Sequence, residues 1–266
     1  MFNIVLCMDE NNIDGLFTVI NSIVKTTNDI KNIKFSILTY DNKEFLNKKL
    51  LEYFGDNIVY RLEQFIDYSD YQKFLEENIS VAGSEKKFKY IANIMNFSRF
   101  YIPLIFKDID IGLYLDTDVI IQTDIIKIFD TVVQPLIIAS PLNKPIETME
   151  IDKQFNMTGY GFNTGVYMLN FVYWRENDLT IKCEELMLRH KSIPLFKLGT
   201  QPIINILFYE KCINIDKRWN FTGLGTNEYS LEKLERQYIL HWTGPKKPWL
   251  SDGLNKNAWE KYSCRI

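Results

Sequence analysis

The feature that most constrains this chain is the rhythm of its first hundred residues. "NIVLCM" is a short apolar run that reads as a buried strand. Asp14 is read as the cap of the next segment, where Leu16, Val19, Ile20, Ile23 and Val24 recur at helical spacing. "KFSILTY" reads as a second strand, 43–54 as a helix, and "NIVYRL" as a third strand. A βαβαβ order of this kind implies a parallel sheet with right-handed crossovers. A helix is predicted over 91–105, containing Ser98 and Arg99, and then the strand "IGLYLD". The second half is less regular. "PLIIAS" (135–140), "NTGVYMLN" (163–170) and "YILHW" (238–242) read as strands, 171–191 as one long helix, 201–210 as a shorter one, and "GPKKPW" as a loop. With no repeat, linker or composition break, the expectation is one α/β domain over 1–266.

The strand "IGLYLD" opens onto "YLDTDVII", where Asp116 and Asp118 are separated by one residue. If both lay in the strand, i and i+2 would face one side. They fall at the C-terminal end of a predicted parallel strand, the edge at which open α/β sheets bind ligands. Two converging carboxylates repel unless a cation or proton intervenes. A hard divalent ion such as Mn²⁺ or Mg²⁺ suits them and leaves positions for phosphate oxygens. The competing reading gives one Asp to a turn and the other to solvent. The apolar run before the pair argues for a core strand.

Composition matters here for what must meet a phosphate. The net charge is −3 and the pI about 5.6, so no basic surface points to nucleic acid. Any phosphate is met by a few placed groups. Those groups are found in "HWTGPKKPW" (241–249): an imidazole at His241, a glycine at Gly244 and an ammonium at Lys247. Without the flanking Gly and Lys, a packed strand-end histidine would be the plainer reading of His241. The other histidine, His190, ends a predicted helix, where capping or dipole pairing suffices.

The four cysteines, Cys7, Cys183, Cys212 and Cys264, have neither metal-ligand spacing nor the density of a disulfide framework. They read as reduced thiols in a cytoplasmic setting. No apolar run approaches the roughly 20 residues of a spanning helix, and the N-terminus has no signal-peptide pattern. In a chain this rich in Asn, the sequons at Asn78, Asn96, Asn156 and Asn220 read as coincidence.

Taken in order, "NIVLCMDENN", Arg99 in "NFSRF", "LYLDTDVII", "FNTGV", "TQPIIN" and "HWTGPKKPW" resemble the glycosyltransferases of family 8, the glycogenin and bacterial lipopolysaccharide galactosyltransferase group. The resemblance runs from residue 3 to about 249. It implies a single-domain GT-A fold with a Rossmann-like, mixed, mostly parallel central sheet flanked by helices. The nucleotide-binding half would be about 1–120, the acceptor-side half about 121–250, followed by a short tail. It also implies retaining transfer of a hexose, glucose or galactose, from a UDP-sugar, with Mn²⁺ or Mg²⁺.

Carried over position by position, Asp116, Asp118 and His241 would be the metal ligands. Thr117 lies between the aspartates, and Gly244 and Lys247 would hold the diphosphate. The turn from Cys7 and Met8 through Asp9, Asn11 and Asn12 would bind the nucleoside, with Asp9 on the uracil. Arg99, Asn163 and Thr164 would face the sugar, and Gln201 would lie beneath its anomeric carbon. Arg99, Asn163 and Gln201 are thus the expected catalytic group.

Alone, Arg99 could be a surface ion pair, "FNTG" a turn, and Gln201 a helix start. Thr200 stands where the family usually has Asp, which bears on donor identity. Asn12 stands where an aromatic often stacks on the base. The acceptor is expected to be a glycan, a lipid-linked sugar or a protein, with a homodimer allowed. Two other readings compete. A nucleotidyltransferase would want a glycine-rich loop, and "LCMDENNIDG" has only Gly15. A UDP-sugar-binding protein with weak or lost transfer is the alternative that Thr200 keeps open.

Overall fold

The structure, a computed structural model, describes residues 1–8, 12–40, 42–79, 93–130, 136–145, 151, 153–197 and 199–264, with backbone alone for 143–145. The first expectations hold. Strand β1 (Phe2–Met8), helix α1 (Ile13–Thr26), β2 (Ile33–Thr39), α2 (Lys43–Phe54) and β3 (Val59–Gln64) follow in order. Strands β1 and β2 pair in parallel, as do β2 and β3. The apolar runs explain this: Ile4, Val5 and Leu6 in β1 and Phe35, Ile37 and Leu38 in β2 are fully buried. Asp14 is not the cap of α1. Asn12 occupies that position, makes no side-chain capping bond, and leaves Asp14 inside the first turn. Helix α2 is capped by Asn42, whose side chain accepts from the Phe45 amide.

Helix α3 (Ser69–Asn78) was not anticipated. The predicted helix over 91–105 is two pieces, α4 (Ile94–Ser98) and α5 (Ile102–Ile105), with 91 and 92 outside the described residues. Pro103 is the cause. A continuous helix would drive its ring into the Arg99 carbonyl, so Pro103 instead occupies the first turn of α5. Strand β4 (Ile111–Leu115) follows, and a short β5 (Val119–Ile121) comes after the acidic motif.

Strands β6 (Ile137–Pro145) and β7 (Tyr160–Asn170) pair antiparallel. The predicted helix over 171–191 breaks into α6 (Phe171–Glu176) and α7 (Leu179–Ser192). Asp178 takes a left-handed conformation at φ 51°, one that Asp adopts more readily than most residues, and this ends the helical path. Helix α8 (Thr200–Leu207), β8 (Cys212–Asn214), α9 (Leu231–Glu235), β9 (Ile239–His241) and α10 (Lys256–Glu260) complete the order. The central sheet runs β3-β2-β1-β4-β7-β6-β8, and β5 and β9 form a separate antiparallel pair.

The backbone divides into two compact units. The first comprises 1–64, 114–133 and 215–266, and the second 65–113 and 134–214. In the first, Ile120, Leu224, Leu234, Leu240, Trp242, Trp259 and Tyr262 form one apolar cluster. All four cysteines are thiols. No helix among the described residues is long and apolar enough to cross a membrane.

Candidate functional site

Each unit carries one polar constellation. In the first unit, strand β4 ends at Leu115, and Asp116 to Asp118 turn the chain into β5. The aspartates therefore converge through a turn and not through the pleat of a strand, which corrects the sequence-based geometry. Two features hold the turn. The Asp118 carbonyl accepts from the Trp242 amide at 2.9 Å. Helix α1 packs so closely that a Cβ on Gly15 would overlap the Thr117 carbonyl. Three residues after Asp118, the Ile121 amide donates to Ser22 Oγ of α1 at 3.1 Å.

The pairing of β5 with β9 sets Val119 opposite His241. That register brings the imidazole to the acidic turn: His241 Nε2 is 3.2 Å from Asp118 Oδ1 and 3.7 Å from Asp116 Oδ2. One ligand atom from each of the three lies within 4.8 Å of the others. Two hard carboxylate oxygens and one imidazole nitrogen fit a divalent cation with open positions for phosphate.

Lys247 belongs to the same cluster. Its Nζ contacts Asp118 Oδ2 and donates to the Trp242 carbonyl at 2.8 Å. Burial alone would push the Asp118 carboxyl up. The charges of Lys247 and His241 and their hydrogen bonds more than offset this, and hold it well below the usual carboxylate range. Gly244 lies at φ 115°, and a Cβ there would press on Gly225 and Thr226. The glycine is thus already required by the protein's own packing. The turn it meets is stitched to the loop by Gly225 N–H to Thr243 O and Lys246 N–H to Gly225 O, both 3.1 Å. Cys7 and Met8 end β1 as buried side chains, while Asp9 and Asn11 lie outside the described residues.

In the second unit the structure joins Arg99, Asn163, Thr164, Thr200 and Gln201 into one network. Arg99 is buried, not a surface ion pair. Its Nη1 donates to the Thr164 carbonyl and its Nη2 to Asn96 Oδ1, each at 2.6 Å. Thr200 Oγ1 donates to the same Asn96 oxygen at 3.2 Å. Gln201 Oε1 accepts from Asn163 Nδ2 at 3.0 Å and from the Thr164 amide at 3.3 Å. "FNTG" is therefore inside β7, not a turn before a strand.

Sequence reading missed Asn96, Asn205 and Asn220. Asn205 accepts from the Phe162 amide and donates to the Phe162 carbonyl, pinning α8 to β7. Asn220 Oδ1 lies 2.8 Å from His241 Nδ1. Asn96 and Asn220 had registered only as sequons. His190 closes the end of α7, where its Nδ1 accepts from the Leu195 amide at 3.0 Å, and it stacks on Phe196.

The chain as a whole is similar to several known proteins. Human glycosyltransferase 8 domain-containing protein 1 is 26% identical over 296 residues, covering 97% of this chain and 76% of that protein. The galactosyltransferase LgtC, solved with donor and acceptor sugar analogues, superposes with a TM-score of 0.74 at 21% identity, covering 100% of this chain and 97% of that one. The glycosyltransferase GlyE of Streptococcus pneumoniae TIGR4 gives 0.70 at 20% identity; all of this chain matches, spanning 62% of the GlyE chain. These likenesses show the GT-A fold. The family model described as "Glycosyl transferase family 8" matches residues 3–253, nearly the whole chain, and the protein belongs to that family.

Proposed function

We propose that this protein is a retaining, metal-dependent hexosyltransferase that moves glucose or galactose from a UDP-sugar to a glycan, lipid-linked or protein acceptor. The observation that carries the reading is the convergence of Asp116, Asp118 and His241 beside the Lys247 ammonium. Asp116, Asp118 and His241 would hold Mn²⁺ or Mg²⁺, which would neutralise charge developing on the leaving diphosphate.

Lys247 supports this assignment as a preplaced cation. Its Nζ can turn from Asp118 to a phosphate oxygen when a divalent ion takes over the carboxylate. Gly244 is assigned to the diphosphate. Cys7, Met8, Asp9, Asn11 and Asn12 are assigned to the nucleoside.

The second network is assigned to the sugar. Arg99 would donate to the sugar or its phosphate, and Asn163, Thr164 and Thr200 would meet hydroxyls. Gln201 spends its carbonyl oxygen on Asn163 and Thr164, which fixes the amide plane but supplies no carboxylate nucleophile. This favours attack on the same face that the diphosphate leaves. The bond from C1 to the phosphate oxygen breaks, the bond from C1 to the acceptor oxygen forms, and the acceptor proton goes to the departing phosphate. Preplaced donors lower the barrier by meeting charge where it develops.

Among the finer assignments, the donor sugar depends most on Thr200. It offers a neutral hydroxyl, already directed at Asn96, where a carboxylate is expected of the family. The four thiols support a reducing, cytoplasmic setting.

A panel of UDP-sugars incubated with Mn²⁺ tests the reading. One sugar is expected to release UDP slowly without an acceptor, and Asp118→Asn is expected to abolish both release and Mn²⁺-dependent UDP binding. UDP binding without release from any donor would leave a binding protein instead. Unchanged Mn²⁺ dependence in the Asn variant would break the metal assignment.

A further inference from the structure

Imidazole ligates a cation through a nitrogen whose lone pair is available, and the partner of the other nitrogen decides which one that is. In His241 the nitrogen facing the aspartates is Nε2. Nδ1 faces the other way, 2.8 Å from Asn220 Oδ1. An amide oxygen carries no proton, so Nδ1 is the donor. Both residues are almost wholly buried, at 4% exposure for Asn220 and 1% for His241. Water therefore offers little competition for this bond.

The backbone delivers Asn220 to that spot. It ends a short helical turn, Lys217–Asn220. The next residue bonds to β9 in both directions: the Phe221 amide donates to the Ile239 carbonyl and the His241 amide to the Phe221 carbonyl, each at 3.0 Å. The chain is thus held to β9 immediately beside Asn220, with its amide set against the imidazole.

Resting on the metal reading above, we propose that Asn220 is a positioning residue of the cation site. It keeps a proton on His241 Nδ1 and fixes the ring plane, so that Nε2, which hydrogen-bonds Asp118 in the cation-free protein, is the nitrogen left to a cation held by Asp116 and Asp118. His190 gives an internal contrast. Its Nδ1 accepts from the Leu195 amide, so its proton sits on Nε2. The two histidines of the chain therefore differ in the protonation of Nδ1.

Two histidines make a simple spectrum. The full chain labelled with ¹⁵N-histidine is examined by long-range ¹H–¹⁵N correlation, with and without diamagnetic Mg²⁺. His241 Nδ1 is expected to be protonated in both conditions and His190 Nδ1 unprotonated. Asn220→Leu keeps the volume but removes the acceptor. It is expected to abolish the fixed Nδ1–H of His241 and to weaken Mn²⁺ binding in calorimetry by about tenfold. Asn220→Asp, which also accepts, is expected to restore the Nδ1–H signature.

An unprotonated His241 Nδ1 in the unaltered protein would overturn the proposal. So would an Asn220→Leu protein that keeps both the Nδ1–H signal and the original affinity. The unaltered protein decides the tautomer alone, so the test survives if the Leu variant does not fold. Failure of the unaltered protein to bind Mn²⁺ or Mg²⁺ is a separate result, because the tautomers are read without a cation. It would overturn the metal site itself and with it the purpose assigned to Asn220.

Discussion

At position 15 a single hydrogen atom sets how near helix α1 comes to the acidic turn. Alanine would add about 1 kcal/mol of helix propensity. Its methyl would also overlap the Thr117 carbonyl, a backbone atom that cannot swing aside. Overpacking of this kind typically costs about 1–3 kcal/mol. Gly15→Ala is therefore expected to lower thermal stability and to weaken Mn²⁺ binding, as read by differential scanning and titration calorimetry. Unchanged values for both would mean that the turn does not depend on this contact.

Tyr101 sets a second residue-scale expectation. Its ring stacks on Tyr71 and its hydroxyl donates to Glu184 at 2.8 Å. Burial, then the Glu184 hydrogen bond and charge, push its pKa far above the ordinary value of 10.0. The folded state thus holds the proton that the unfolded chain gives up first. The contribution to stability is complete below about pH 10 and is lost progressively above it. Tyr101→Phe is expected to cost about 1 kcal/mol at pH 8. The gap in urea midpoint from the unaltered protein should then shrink at pH 10.5. A gap independent of pH would contradict the assignment.

At the scale of elements, the short β5–β9 pair depends on what packs behind it. Trp242 follows β9 directly, meets Trp259 of α10 edge-on at 5.2 Å between ring centres, and donates to the Leu254 carbonyl. The residues after Trp249 thus buttress the strand that carries His241. Removal of a buried Trp side chain costs about 3–5 kcal/mol. Trp259→Ala is expected to show that loss in chemical denaturation, together with weaker Mn²⁺ binding. A stability loss with unchanged affinity would separate the tail from the site.

Elements also show where sequence pattern stops being informative. Strands β1, β2 and β4 were legible because their apolar runs are buried over most of their length. Strands β5 and β8 are three residues each, too short for any period to register, whereas β9, equally short, was read within "YILHW". The helix over 91–105 failed because apolar spacing was allowed to outweigh Pro103, and the one over 171–191 because Asp178 was read as an ordinary helical residue. The acidic pair was singled out by its charge but given the wrong backbone, since it converges through a turn. Asn96, Asn205 and Asn220 carry no pattern. Their roles come from hydrogen bonds to distant main chain and side chains, which spacing along the sequence does not encode.

At the scale of the whole chain, the first unit is assembled from three separated segments and the second from two. The acidic pair and the loop carrying His241 and Lys247 were legible from residue type and position, while their joining into one site, and the grouping of Arg99, Asn163, Thr164, Thr200 and Gln201, came through family resemblance.

The meeting of Lys247 with Asp118 spans 129 positions in sequence. Val119 and His241 face each other across a similar interval. Closing a loop that long carries an entropic cost recovered only once both ends have docked. Cation capture is then a clock. In refolding, affinity for Mn²⁺ should arrive with the last tertiary closure and trail the helical signal. A nascent chain would gain it only after β9 and Lys247 had left the ribosome.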